Sequence, residues 1–258
     1  MFYMGTDLNT SLKIFNQITL TQLNSQASFL NRIDTKYLLT ESKFKEILKD
    51  LEEDFFVLEI NEKSIFEYES IYMDTYDYHF YYQHQNGEKN RTKVRTRNYL
   101  DSDIAFFEYK QKQKVTRKFR YKFDSLNDHK MTSESTKFFE AYQSFYSEAP
   151  EKIFPSLATK YNRITFCSKI NDERLTIDFN IRLEDLRNDK AIIDLDNLVI
   201  IESKSMSKDG KSSRIMKKHD IKRSSCSKYS LLCYQKMIED TSRFKSTMKK
   251  INKIRESE

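Results

Sequence analysis

Arg91, Lys93, Arg95 and Arg97 occupy alternate positions of one short stretch, and Glu108, Lys110, Lys112 and Lys114 do the same a few residues later. Arg174 with Asp178, then Glu202 with Lys204, repeat the even spacing further along. A strand sends successive side chains to opposite faces. Each stretch therefore gathers its charges on one face and leaves residues such as Val94, Phe107, Tyr109, Ile177, Phe179 and Ile201 on the other. Guanidinium groups at alternate strand positions offer two-pronged contacts to phosphate oxygens. The carboxylates among them suit a hard divalent cation. Together these residue types can hold a polyanion and a metal ion on one surface. The plainer alternative is a basic sheet face in water.

The elements that must position these groups can be read from the rest of the chain. Its 258 residues make one large domain or two small ones and are enough to bury a core. The net charge is only +6, but residues 91–122 hold 11 Lys or Arg against Asp101, Asp103 and Glu108. That concentration points to an anionic partner. The glycines are three and isolated, at 5, 87 and 210, which excludes a Walker loop and a dinucleotide fingerprint. Bound phosphate must then be held mainly by side chains. The three cysteines, Cys167, Cys226 and Cys233, form no Cys-x-x-Cys, and the four histidines have no metal-motif spacing. No apolar run approaches the ~20 residues of a membrane span and no signal-peptide core opens the chain, so a cytoplasmic location is expected.

Periodicity predicts helices over 41–53, with Thr40 as cap and Phe44, Ile47, Leu48 and Leu51 on one stripe, and over 76–84, 134–146 and 227–250. Residues 7–26 read as a helical leader, and the charged, Ser-rich stretch 209–224 as mobile. Strands are expected at 28–39, 55–60, 65–73, 91–99, 103–113, 116–123, 158–168, 173–183 and 197–204. Arg and Lys recur on one parity of several separated strands with a carboxylate beside them. This favours a closed antiparallel barrel with a polar lumen over a sheet with one wet face. Tyr37 and Tyr99 are expected on the packing side.

In chain order the charged strands read Arg32-x-Asp34-x-Lys36-Tyr37, Tyr72-Met73-Asp74-Thr75, Lys93-Val94-Arg95-x-Arg97-x-Tyr99 and Phe107-Glu108-Tyr109-Lys110. Then come Lys160-Tyr161-Asn162-Arg163, Arg174-Leu175-Thr176-Ile177-Asp178, Ile201-Glu202-x-Lys204 and Ser227-Lys228-Tyr229. Each motif alone is common, but the ordered set over residues 28–235 resembles the VTC domain, the polyphosphate polymerase domain of the triphosphate tunnel metalloenzyme superfamily. The resemblance implies an α+β fold: an eight-stranded antiparallel tunnel with a polar lumen, flanked by helices and closed by a C-terminal helix. It divides the chain into a leader, 1–27, and a tunnel domain, 28–258. It implies transfer of the terminal phosphate of ATP, or another nucleoside triphosphate, to a growing polyphosphate chain, with Mn2+ or Mg2+.

By this resemblance Lys36, Arg95, Arg97, Lys110, Arg163, Arg174, Lys204 and Lys228 match basic tunnel positions. Arg91, Lys93 and Lys112 extend the binding surface. Glu202 is the first choice for the metal, with Glu108 and Asp178 as further ligands or as holders of neighbouring cations. Arg32 stands where the hydrolytic and cyclase branch begins Glu-x-Glu-x-Lys, which separates this chain from that branch. One position departs from the family pattern. Ser225 stands three before Lys228, where the closing motif carries a basic residue, and Lys222 or Arg223 is the available substitute.

Two other readings use the same surface: a triphosphatase with water as acceptor, and a binding module for polyphosphate or inositol phosphates. A nucleic-acid binder is disfavoured because its basic and aromatic residues would be exposed for stacking. Family members are often fused to membrane spans, so a membrane-protein partner is a further expectation.

Overall fold

The computed structural model describes residues 5–26, 32–112, 116–123, 153–170, 173–187, 191–235 and 242–257. The expected helix over 134–146 and Lys114 lie outside the described residues. The chain opens with α1 (Gly5–Leu12), β1 (Gln17–Ile18) and α2 (Leu20–Gln26). Next come β2 (Ile33–Thr40), α3 (Glu41–Glu52), β3 (Phe55–Leu58), β4 (Phe66–Asp74) and α4 (His79–Gln85). The β-rich middle follows: β5 (Arg91–Tyr99), β6 (Ile104–Lys112), β7 (Thr116–Phe123), β8 (Phe154–Ser168), β9 (Glu173–Asp185), β10 (Ile192–Leu195) and β11 (Leu198–Ser205). The chain then runs through α5 (Lys211–Lys218), β12 (Arg223–Ser224), 3-10 helices over Lys228–Gln235 and Ser242–Phe244, and α6 (Lys245–Arg255).

The strands form one sheet in the order β12-β2-β11-β9-β8-β4-β5-β6-β7, with β1, β3 and β10 off this path. Among the described residues every pairing is antiparallel except the short β1–β3 pair. This corrects the expected eight-stranded closed barrel. Among the described residues the sheet has twelve strands, and its path stays open between β12 and β7. It curls all the same. The β2 residues Asp34 and Lys36 act electrostatically on Lys110 of β6, although the two strands share no backbone pairing.

The outer face of β2, β11, β9 and β8 is sealed by α1, α3 and α5. Leu8, Leu12, Phe44, Ile47, Leu48, Leu51, Ile215 and Met216 share one buried cluster with Tyr37, Ile164, Ile177, Phe179 and Ile201. Thr40 caps α3 by accepting from Lys43 N–H at 3.1 Å, and the four residues α3 buries are the four its sequence stripe predicts.

The expected mobile stretch 209–224 is instead anchored by α5. Glu173, 1 % exposed, accepts from Ser203 Oγ at 3.0 Å and from both the backbone N–H and the hydroxyl of Ser212. The expected single helix 227–250 is also corrected, because 3-10 turns precede α6.

One irregularity decides how the interior is divided. Along β9, Asn180 takes φ 50° and the pairing with β8 skips a residue between Lys160 and Asn162. Such a bulge shifts which side chains face which side. Ile177 and Phe179 sit in the outer cluster, whereas Ile181 and Leu183 join Leu38, Ile200, Tyr72 and Tyr229 in the second cluster. The inner face thus turns from charged to apolar beyond Asp178 on β9, Lys36 on β2 and Glu202 on β11. The C-terminal residues Tyr229, Leu231, Ile251 and Ile254 belong to that apolar cluster.

Candidate functional site

Antiparallel register brings the charged residues together. Arg95 pairs across with Glu108, and Glu108 with Arg120; Lys93 pairs with Lys110, and Lys110 with Lys118. On the other wall Arg163 faces Asp178, Glu202 faces Lys36, and Lys204 faces both Asp34 and Arg174. The cavity between these walls has a volume of about 690 Å³. Among the described residues twelve basic side chains line it against five carboxylates, an imbalance that an anionic occupant would offset.

Of the residues singled out in the sequence, Lys36, Lys93, Arg95, Arg97, Glu108, Lys110, Arg163, Arg174, Glu202, Lys204 and Lys228 line this cavity. Asp178 stands just behind it, gripping Arg163 in a two-pronged pair at 2.6 and 2.8 Å and also bonded to Lys228. Arg91 and Lys112 face each other at the strand ends and do not line it. Tyr99 has the parity of Arg95 and Arg97, so it lines the cavity and accepts from Arg120 at 2.6 Å. This corrects its expected place on the packing side. Arg223 donates to the carbonyl of Lys208 and to Ser213 Oγ, outside the cavity, so it does not replace the cation missing at Ser225.

Lys118 and Arg120 were missed as site residues, although the alternation in TRKFRYKF could have revealed them. They hold Glu108 at 2.8 and 3.1 Å, opposite Arg95 at 2.6 Å. Also missed were the aromatic walls. The Arg163 guanidinium lies 5.1 Å from the Tyr68 ring centre and 5.3 Å from that of Tyr161.

The electrostatics follow from crowding. Burial, and then Lys36, Lys110, Arg95 and Arg91, push the Lys93 ammonium well below its usual range. Burial alone would raise the Tyr161 phenol, but Arg97, Arg163 and Lys228 outweigh it and bring it down to about 8. Burial likewise opposes ionisation of Glu202, yet Lys204 and Lys36 hold its carboxyl well below the usual range. Asp178 and Glu108 are lowered in the same way, despite burial, by Arg163 with Lys228 and by Arg95 with Arg97 and Lys118.

These directions fix an acid-stability profile. Carboxyls lowered in the folded state contribute stability that is complete above their unfolded value near 4 and is lost as pH falls through their folded values. Asp74 runs the other way. Burial raises it to about 6 against the backbone N–H groups of Phe80, Tyr81 and Thr75, so its ionisation lowers stability as pH rises from about 4 to 6. Urea midpoints are expected to fall steeply below pH 4, and Asp74→Asn is expected to flatten the slope between about pH 4 and 6. Midpoints unchanged down to pH 2 would contradict the buried-pair assignments.

The carboxylates can be tested against a divalent cation. Among the described residues no three His, Cys, Asp or Glu side chains gather into a cage. Magnesium-like ions are commonly held by one or two carboxylates together with phosphate oxygens. Glu202 fits that role. It lines the cavity and makes a single ion pair among the described residues, with Lys204 at 2.7 Å, whereas Glu108 is engaged by three cations and Asp178 by two.

A curled antiparallel sheet carries these cations along its inner face. A profile of the VTC domain matches residues 31–237, and the chain belongs to the VTC domain family. Among solved structures it is similar to a candidate adenylate cyclase from Bacillus halodurans, at 16% identity and TM-score 0.52, covering 81% of this chain and 98% of that one. A candidate adenylyl cyclase from Hippeastrum, described with a dominant triphosphatase activity, aligns at 11% identity and TM-score 0.48, over 80% of this chain and 98% of that one. No curated protein matches the chain. Among the described residues no helix is long and apolar enough to cross a membrane.

Proposed function

We propose that the chain is a polyphosphate polymerase that moves the terminal phosphoryl group of ATP onto a growing polyphosphate chain inside this cavity. One observation carries the reading: in a VTC-domain chain, twelve basic side chains among the described residues converge on a 690 Å³ space. Phosphoryl transfer needs positioning and charge neutralisation more than a protein nucleophile. Arg97, Lys110 and Lys36 would neutralise the transferred group and its neighbours. Arg163 and Lys228, braced by Asp178, would hold the chain further in, and Arg95 is fixed in place by Glu108. Glu202 would hold a divalent cation, magnesium or manganese, which when bound supplies further neutralisation of phosphate oxygens.

A second reading, a triphosphatase, is favoured by Ser225, since neither Arg223 nor Lys222 lines the cavity in place of the basic residue of the closing motif. Incubation with ATP and manganese separates the two by gel analysis of polymer and by phosphate release. Polymer supports the polymerase and phosphate alone the triphosphatase. Neither product, with tight triphosphate binding, supports a binding module. Glu202→Gln is expected to abolish turnover while keeping the fold, at some cost in melting temperature because Lys204 and Lys36 lose their counter-charge. Full activity of that variant at limiting manganese rules out Glu202 as the metal ligand.

A further inference from the structure

The C-terminal segment is fastened to the rest of the fold through the side chain of Tyr229. Its hydroxyl donates to Oδ2 of Asp74, a carboxylate with no solvent exposure. The other partners of Asp74 are backbone N–H groups and the Thr75 hydroxyl, 3.5 Å from Oδ1. Oδ1 accepts from the N–H groups of Thr75 and Phe80, both at 2.8 Å, and Oδ2 from that of Tyr81 at 2.9 Å. The carboxylate thus caps the first turn of α4 and also takes up Tyr229. The Tyr229 ring lies 5.1 Å from that of Tyr72 and edge-on to Tyr81 and His84.

Each of the three residues before Tyr229 makes a polar contact with a charged side chain at the cavity. Lys228 reaches Asp178, Ser227 Oγ accepts from Lys93 at 2.6 Å, and the Cys226 carbonyl accepts from Lys36 at 2.8 Å. On the far side of the ring, Tyr72 accepts from Arg95 at 3.4 Å. Neither Asp74 nor Tyr229 lines the cavity. A buried carboxylate that loses a donor keeps its desolvation cost, so the segment cannot lift away without stranding Asp74.

We propose that Asp74 and Tyr229 form a positioning pair that seats residues 226–228 and thereby sets the places of Lys228 and Lys93 for anion binding. The proposal rests on the reading of the cavity as a phosphate site. It assigns work at the cavity to two side chains that do not touch its contents.

The test measures inorganic triphosphate binding by calorimetry for the wild type, Tyr229→Phe, Lys228→Ala and the double variant. Amide exchange of residues 226–228 is followed without ligand. Tyr229→Phe is expected to bind roughly tenfold more weakly, the worth of one hydrogen bond to a buried charge. Most of that loss should vanish when Lys228→Ala is already present, because the two changes act through the same contact. Exchange at 226–228 should quicken. Fully additive losses, wild-type affinity in Tyr229→Phe, or unchanged exchange would each overturn the pair. If the wild type binds no triphosphate, the reading of the cavity fails, and the exchange measurement still decides whether the pair seats the segment.

Discussion

Arg97→Ala is expected to lower ATP turnover on the order of 10³-fold, the scale on which removal of a charge-neutralising arginine acts in phosphoryl transfer. The structure separates Arg97 from its neighbour. Arg95 is tied to Glu108, with Nε at 2.7 Å and Nη2 at 2.6 Å. Arg97 makes no ion pair among the described residues. Its Nε is 3.5 Å from Ser70 Oγ, and its guanidinium lies 6.0 Å from the Tyr68 ring centre. Its charge is thus the less committed of the two and the more available to a moving phosphoryl group. Arg97→Lys keeps the charge but loses the planar fork, so it should recover only a minor part of the rate. Lys112→Ala, at the strand end outside the cavity, should cost far less. Steady-state ATP consumption under manganese measures all three. Equal losses for Arg97→Ala and Lys112→Ala would reduce the cavity to a diffuse basic surface and move the binding module ahead.

Asp178→Ala should have the largest effect on stability. Asp178 is 2 % exposed and serves two cations at once, Arg163 in a two-pronged pair and Lys228. Deleting one partner of such a buried pair leaves the other charge uncompensated, a cost of about 3–5 kcal/mol. For a chain of this size that corresponds to a melting point lower by roughly 10 °C. Inorganic triphosphate should restore part of the loss in the variant, since its oxygens offer Arg163 and Lys228 a replacement anion. Thermal melts with and without triphosphate check both halves. A drop of only a degree or two would mean that Asp178 is not the anchor of this wall.

Much of this site was legible because a strand enforces period two. The alternation at 91–99 placed β5 at its observed ends, and the Phe44, Ile47, Leu48 and Leu51 stripe named the buried face of α3. What was not legible depended on partners remote in sequence. The stretch 209–224 has too few apolar residues to announce a helix, and its anchor is the carboxylate of Glu173 from another strand. Among the described residues β10 is a four-residue edge strand that pairs only with β9. The roles of the carboxylates were left open for the same reason. Which of Glu108, Asp178 and Glu202 is already engaged depends on cross-strand neighbours that no single stretch displays.

The bulge at Asn180 acts as a depth gauge for the polar interior. If β9 ran on in the phase of Arg174, Thr176 and Asp178, then Arg182 and Glu184 would also point inward, and Ile181 and Leu183 would point out. With the extra residue in place, Arg182 pairs instead with exposed Asp194 at 2.6 Å, and the apolar pair turns to the plug that carries Tyr229. The reach of the charged chamber is therefore set by where one strand skips a residue, not by how many charges it contains. Sliding that skip by two positions would lengthen or shorten the chamber without altering the composition of the strand.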